Sequence, residues 1–320
     1  MIKKKKTQLS FAQLQVNKCL DKTNWLQKID GLIDWEPIRQ KLANLHPSNT
    51  GRPAYGPVFM FKVLLLQQWF NLSDPQAEAQ INDRISFKVF LEMDITETGP
   101  DETTICNFRN YIGSLGLTEE LFEEINRQFE EKGLVIKTGT LIDASFYQAS
   151  TRPPTKGKDA KDPDASWGVK GKGKNKKYCY GYKLHVGVDQ NSGIIRQAEI
   201  TEARINDHKV FDELISGDEQ AVYADKAYYD KERAEDLKAK GIKNGLLKKA
   251  ARGKPLSEAD KVRNKKLSKI RAQVERPFGI IKSKWGHNRA RYLGLFRNKV
   301  HLLLIFIAYN MRRTYSLSVI

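Results

Sequence analysis

Tyr178-Cys-Tyr-Gly-Tyr-Lys-Leu-His-Val-Gly-Val188 alternates without a break. Tyr178, Tyr180, Tyr182, Leu184, Val186 and Val188 share one face, opposite Cys179, Gly181, Lys183, His185 and Gly187, which is the period of two that a strand requires. Upstream, the pattern changes at Lys137 from helical to extended, and Thr140 to Tyr147 reads as a preceding strand. Downstream, Asp189 to Gly193 supplies a turn and Ile194 to Thr201 the returning strand. A short helix around Lys209 to Ile215, a strand at Ala221 to Ala227, a helix around Lys231 to Lys240 and a strand at Ile242 to Leu247 follow.

The order β-β-β-α-β-α-β, closed by a further helix, is that of a ribonuclease-H-like fold. The expected class is therefore α/β, a mixed sheet with flanking helices, preceded by a helical, helix-turn-helix-like domain. In that amino-terminal part Val58 to Phe70 reads as an apolar helix ending near Asn71. Ser73 and Gln76 have capping-box spacing, with Pro75 in the first turn. Gly99 and Pro100 break the chain before Asp101, which caps a helix through Thr104, Ile105, Phe108 and Tyr111. This helix is either a DNA reader, through Thr103, Thr104, Asn107 and Arg109, or part of an ordinary helical bundle. The expected boundaries are a DNA-binding domain over residues 1–133 and a catalytic domain over residues 134–315. Two basic loops, 151–177 and 250–266, interrupt the latter; the first is rich in Pro, Gly and Lys and predicts a flexible segment.

The 320 residues carry 55 Lys and Arg against 38 Asp and Glu, a net charge of +17. Such an excess favours a polyanion, because neutralising phosphates releases condensed counterions. The longest apolar run, Leu302 to Ala308, is far short of the roughly 20 residues that span a bilayer. Lys3 to Lys6 reads as a solvated basic tail, not as the start of a signal peptide. Cys19, Cys106 and Cys179 are widely spaced and odd in number, which argues against disulfides and zinc and for a reducing compartment, expected to be the cytoplasm with its nucleoid. Any metal should then sit on oxygen ligands and be Mg2+ or Mn2+.

Two acids stand out. Asp143, in Thr140-Leu-Ile-Asp-Ala-Ser-Phe146, and Asp225, in Val222-Tyr-Ala-Asp-Lys-Ala-Tyr228, each follow apolar residues of a core strand, where an unpaired carboxylate is costly. Glu275 joins them from a helix whose apolar face is Ile270, Val274, Phe278, Ile281 and Trp285. Arg271, Glu275 and Lys282 share a stripe beside that face, and Pro277 predicts a kink next to Glu275. His185, on the strand face away from the aromatic stripe, and His208, which with Asp207 precedes a helix, are read as structural.

The segment Arg271-x3-Glu275-x6-Lys282 resembles the carboxy-terminal signature of bacterial DDE insertion-sequence transposases. That pattern has a tyrosine three residues before the arginine, where this chain has Ser268. Asp143 matches the first acid and Asp225, with Ala227 and Tyr228, the second. Asp162-Pro-Asp-Ala165, Trp167, Gly181-Tyr-Lys-Leu-His185 and residues 47–111 resemble the IS-five branch of the IS-four/IS-five superfamily. The resemblance implies that Asp143, Asp225 and Glu275 hold two Mg2+ about 3.5–4 Å apart, cut DNA at an element's ends and transfer the 3′ hydroxyl into a target. It implies DNA as partner, contacted by Arg271 and Lys282 and by Lys170, Lys172, Lys174, Lys176 and Lys177 of the basic loop, and assembly as a dimer or more on two DNA ends. The competing classes are a covalent Tyr or Ser recombinase and an inactive end-binding protein or repressor.

Overall fold

The computed structural model describes residues 11, 15, 24–45, 53–155, 157–171, 176–250, 253 and 255–318. The expected basic tail Lys3 to Lys6 and the candidate contacts Lys172 and Lys174 lie outside them. The chain divides into two compact units, Met1–Glu131 with Leu302–Ile320, and Lys132–His301. Among the described residues no helix is long and apolar enough to cross a membrane.

The first unit is helical: Trp25–Leu32, Trp35–Lys41, Pro57–Phe70, Asp74–Asp83, Ile85–Phe90, Glu102–Ser114 and Leu117–Glu131. Local chemistry places the ends of these helices. Asn71 stops the Pro57–Phe70 helix in the left-handed conformation, φ 54°. Ser73 and Gln76 form the capping box in both directions. Asp101 Oδ1 accepts from the Thr104 amide at 2.7 Å and starts the Glu102–Ser114 helix. The Pro57–Phe70 helix is buried along most of its length and forms the centre of this unit. The unit also takes in the later part of the Leu295–Ser318 helix: Trp69 Nε1 donates to the Ala308 carbonyl at 2.8 Å, and Asn310 Nδ2 donates to Asn126 Oδ1 at 2.8 Å.

Arg109 corrects one expectation. Its position on the candidate reading helix marked it for DNA, but its side chain is turned inward and buried, donating to Asp74 Oδ2 and Oδ1 at 2.7 Å each and to Gln67. A bidentate pair with a carboxylate satisfies the fork of the guanidinium where no water reaches it. Thr103 and Asn107 are exposed on the same helix, and Thr104 is half-buried with its hydroxyl on Asp101 Oδ2.

The second unit carries one six-stranded sheet. Its strands are β1 (Thr140–Gln148), β2 (Ser166–Lys170), β3 (Lys177–Asp189), β4 (Ile195–Glu202), β5 (Ala221–Tyr223) and β6 (Lys243–Asn244). β3 is central, antiparallel to β1 on one side and to β4 and β2 on the other, while β5 runs parallel to β1 and β6 parallel to β5. With β2 as an insertion, the order β4-β3-β1-β5-β6 is that of a ribonuclease-H-like core. β2 departs from the sequence reading: the segment expected to be a flexible loop contains a paired strand. Two glycines fit it to the sheet. A Cβ at Gly168 would run into the Phe146 ring and the Ala203 carbonyl, and one at Gly181, φ 151°, into the Tyr147 carbonyl and the Ala149 amide.

Other boundaries shift for local reasons. The helix expected at Lys209 to Ile215 is two 3₁₀ turns, Asp207–Val210 and Asp212–Leu214, and the strand expected to run to Ala227 stops at Tyr223 because Asp225 caps a 3₁₀ turn, Lys226–Tyr228. The strand expected at Ile242 to Leu247 is regular only at Lys243–Asn244, but its alignment with β5 continues, with the Lys243, Gly245 and Leu247 amides donating to the Gln220, Val222 and Ala224 carbonyls. One sheet face, with Ile142, Val222 and Ala224, packs on Val210, Phe211, Leu214, Tyr228, Leu237, Ile242 and Leu246. The Asp162-Pro-Asp-Ala165 stretch has a structural role. Buried Asp162 accepts from Tyr182 Oη at 2.6 Å and the Gly294 amide at 3.2 Å, and Asp164 accepts from the Leu295 amide at 2.7 Å, tying the segment before β2 to the start of the Leu295–Ser318 helix.

The Arg109–Asp74 pair can be tested by unfolding. Arg109→Ala takes the guanidinium partner from the half-buried Asp74 carboxylate beside Gln67 and is expected to cost about 1–3 kcal/mol. Asn107→Ala, on the exposed side of the same helix, is expected to stay within about 0.5 kcal/mol of wild type. Urea melts followed by circular dichroism read both, and equal midpoints for the two variants would return Arg109 to the surface.

Candidate active site

The pairing of β1 with β5 sets the geometry. Thr140 is level with Val222 and Leu141 with Tyr223, so Asp143 and Asp225 each lie two residues beyond the last paired position of neighbouring parallel strands. The two acids are therefore brought level at the carboxyl end of the parallel pair, the end at which open α/β sheets place their ligand sites. Alternation turns Asp143 and Ser145 away from the face that carries Ile142.

Over this second face passes the carboxy-terminal helical segment. It is an α-helix at Glu258–Arg271, a 3₁₀ turn at Ala272–Val274, one α turn at Glu275–Phe278 and a π turn at Gly279–Lys284. The kink expected at Pro277 is taken up by these changes of helix type, since proline removes a donor from the regular ladder. Val274 and Ile281 are buried and anchor the segment. Arg271 Nη1 lies 3.4 Å from Asp143 Oδ2, and its Nε has no hydrogen-bond partner among the described residues. Lys282 Nζ donates to Ser145 Oγ at 2.6 Å and to the Phe146 carbonyl. Arg271 and Lys282 thus reach the same strand, two residues apart. Glu275 lies one turn beyond Arg271, is exposed, and has no ion pair among the described residues.

The electrostatics separate these acids from the rest. Buried Glu219 accepts from the Ser216 and Gly217 amides and pairs with Arg196, and buried Asp189 accepts from Ser192 and the Lys137 amide. Such fully satisfied carboxylates hold structure. Among the described residues Asp225 accepts only from the Lys226 amide of its own turn, at 2.7 Å. Burial pushes the Asp143 carboxyl above the usual range, Arg271 opposes this first and Lys170 less, and Asp225 adds to the rise. Tyr228 lies close by: its buried hydroxyl has no hydrogen-bond partner among the described residues, and burial, with Asp207, Asp143 and Asp225, raises it. Lys282 is lowered to about 8 by burial, Lys170 adding to the shift.

Two acids meet, and the third stands apart. Among the described residues no group of three or more His, Cys, Asp and Glu side chains is gathered to hold a metal ion. The oxygen-only donors Asp143 and Asp225 fit a hard divalent cation, with Arg271 supplying the nearest positive charge to Asp143. The histidines are structural in their contacts. His185 Nε2 lies 2.9 Å from Thr201 Oγ1, and burial lowers the ring to about 4. Asn206, not Asp207, caps the turn before His208, while Asp207 pairs with Lys183 at 2.9 Å.

A family model described as a transposase DDE domain matches residues 136–311, more than half of the chain, and a second, described as a transposase domain (DUF772), matches residues 14–111. The chain belongs to the DDE transposases. A cryo-EM structure of a piggyBac transposase synaptic complex with hairpin DNA aligns over 91% of this chain and 74% of that one, at a TM-score of 0.47 and 11% identity. In this transposase the family match covers all of β1 to β6 and the segment with Arg271, Glu275 and Lys282. Ser145 is the addition that sequence reading had not singled out as a site neighbour. Only the register of β1 and the packing of the last helical segment reveal it.

The lowered Lys282 ammonium is directly measurable. With lysines labelled by reductive 13C-methylation, one NMR resonance is expected to titrate near pH 8, and to vanish in Lys282→Met. Ser145→Ala removes an acceptor that favours the charged form, so it should lower that midpoint further. A protein in which every lysine titrates near its ordinary value of about 10.4 would place Lys282 in water.

Proposed function

We propose that this transposase cuts DNA at the ends of an insertion sequence of the IS-five branch and joins the freed 3′ hydroxyl to a target, using Asp143, Asp225 and Glu275. The observation that carries the proposal is the level placement of Asp143 and Asp225 at the ends of neighbouring strands, incompletely satisfied, with Arg271 on Asp143. Glu275 stands apart from the pair, four residues beyond Arg271 on the segment that reaches β1, and in this reading it joins them as the third ligand when the ions are bound.

Asp143 and Asp225 would hold Mg2+, or Mn2+ in its place, with Glu275. When bound, the ions supply charge neutralisation and Lewis-acid activation of the phosphodiester. The chain's own residues do the rest. Strand pairing fixes the two aspartates, so little freedom is lost when DNA binds. Arg271 and Lys170 lend positive charge at the acids, and Lys282, held on Ser145, adds another beneath the approaching phosphates. Cleavage exchanges one P–O bond to the 3′ oxygen for one to water, and joining exchanges a target P–O bond for one to the freed 3′ oxygen. Bond number is conserved in both steps, so neither ATP nor a covalent protein intermediate is required.

Within this reading, the helical unit binds the element's ends and Thr103 and Asn107 contact bases, while Lys176 and Lys177 contact phosphates. Two ends must be held together, so the working form is a dimer or larger on DNA. The net charge of +17 and the family membership support DNA as partner.

The test uses duplexes taken from the DNA that flanks the chain's own coding sequence. Wild type should nick them with Mg2+ and leave a 3′ hydroxyl. Asp143→Asn, Asp225→Asn and Glu275→Gln should each slow nicking by roughly 10³-fold or more while gel-shift affinity for the ends stays within about threefold. Binding without nicking by wild type, under Mg2+ and Mn2+ alike, would instead establish an end-binding protein without catalysis. Nicking at the wild-type rate by any of the three variants would remove that residue from the site.

A further inference from the structure

The β2–β3 hairpin carries features that the cleavage reading does not use. Register pairs Trp167 with Tyr180 and Val169 with Tyr178, so these four side chains share one face. Trp167 is 52% exposed, Val169 50% and Tyr178 63%. Three large apolar side chains side by side on the hairpin of the edge strand form a patch that an isolated soluble chain gains nothing by exposing. The Trp167 ring is also held in place. Trp167 rests against Tyr180 at 5.6 Å between centroids, and buried Tyr180 donates its hydroxyl to the Asp162 carbonyl at 3.4 Å. Gly168 locks the backbone between Trp167 and Val169 against Phe146.

Charge identifies the occupant. Lys170 and Lys177 are paired across the same hairpin on its opposite face, Lys176 adjoins them at its end, and all three are exposed, so their long side chains bracket the rim of the ring-bearing face. Asp143 is level with Val186, whose face of β3 also carries Tyr180 and Tyr178, so the rings lie on the face of the candidate active site, and Lys170 acts electrostatically on both Asp143 and Lys282. An aromatic face rimmed by ammonium groups suits a chain of phosphates whose bases are free to stack. A duplex hides its base faces; an unpaired strand offers them.

We propose that the β2–β3 hairpin is a platform for unpaired nucleotides, on which Trp167 and Tyr178 stack bases while Lys170, Lys176 and Lys177 hold the backbone. This rests on the reading of the chain as a DNA-processing enzyme and adds the class of DNA it engages: single-stranded segments next to the cut.

The experiment keeps that reading and the platform apart by measuring binding without divalent cation, on DNA unrelated to any element end. Full-length wild type and Trp167→Ala/Tyr178→Ala are titrated with a fluorescein-labelled oligodeoxythymidine and with a random duplex at one fixed salt concentration. The expected result is a loss of roughly ten- to hundredfold for the single strand in the double variant and less than about twofold for the duplex. Trp167→Phe should recover most of the single-strand affinity, because it keeps a stacking face. Both side chains are exposed, so circular dichroism should be unchanged; if the double variant unfolds, Trp167→Phe/Tyr178→Leu replaces it and is expected to lose affinity at Tyr178 alone. Equal losses for single strand and duplex, or none, would overturn the platform and leave DNA processing untouched. Failure of wild type to bind either DNA would overturn the DNA reading itself. A change from dimer to monomer in the double variant, with DNA affinity intact, would make the patch a contact between copies and equally overturn the proposal.

Discussion

Two carboxylates set level on neighbouring parallel strands repel one another, and burial makes Asp143 dearer to ionise. That constraint, imposed by the β1–β5 register, organises the second unit. It accounts for the raised Asp143 carboxyl, for Arg271 lying against it, and for a helical segment that brings two cations to positions 143 and 145 of one strand. The contrast with Glu219 and Asp189 is instructive. Those carboxylates are neutralised by amides and by Arg196 and have nothing left to offer a ligand, whereas Asp143 and Asp225 are held in place with capacity to spare.

Much of this was readable from sequence wherever a pattern repeats or a cap is local. β1, β3 and β4 follow from alternation, and Ser73, Gln76 and Asp101 cap the helices that their spacing marks. Asp143 and Asp225 stand out because an acid after apolar strand residues is rare. What failed depends on partners distant in the chain. β2 lies among lysines and glycines and exists because β3 offers it an edge. Arg109 looks like a surface residue until Asp74, thirty-five positions away, turns it inward. Asp225 ends its strand early because its own carboxylate prefers the next amide, and a hydrophobic pattern does not register that preference.

The segment around Glu275 shows why spacing alone could not place the third acid. An ideal helix would set Arg271, Glu275 and Lys282 along one stripe, but the chain passes from α to 3₁₀ to α to π within fourteen residues, from Arg271 to Lys284. Each change alters the turn per residue, so the direction of every side chain after Ala272 depends on the sum of departures from regularity. Arg271 and Lys282 still arrive at β1, because Val274 and Ile281 fix the segment by burial.

The division of the chain into units has a bearing on how it is made. The helical unit is interrupted in sequence: its residues up to Glu131 are joined by Leu302–Ile320, which supply buried Leu304, Ile305 and Ile307 and the carbonyl bonded by Trp69. Ribosomes add about 5–20 residues per second, so the roughly 170 residues between the two parts take roughly ten to thirty seconds to synthesise. Throughout that interval the amino-terminal helices lack part of their core, with Trp69 short of its acceptor. The unit matures only after the whole sheet has emerged, so a nascent chain completes its amino-terminal half last, and truncation near residue 300 damages the half that was translated first.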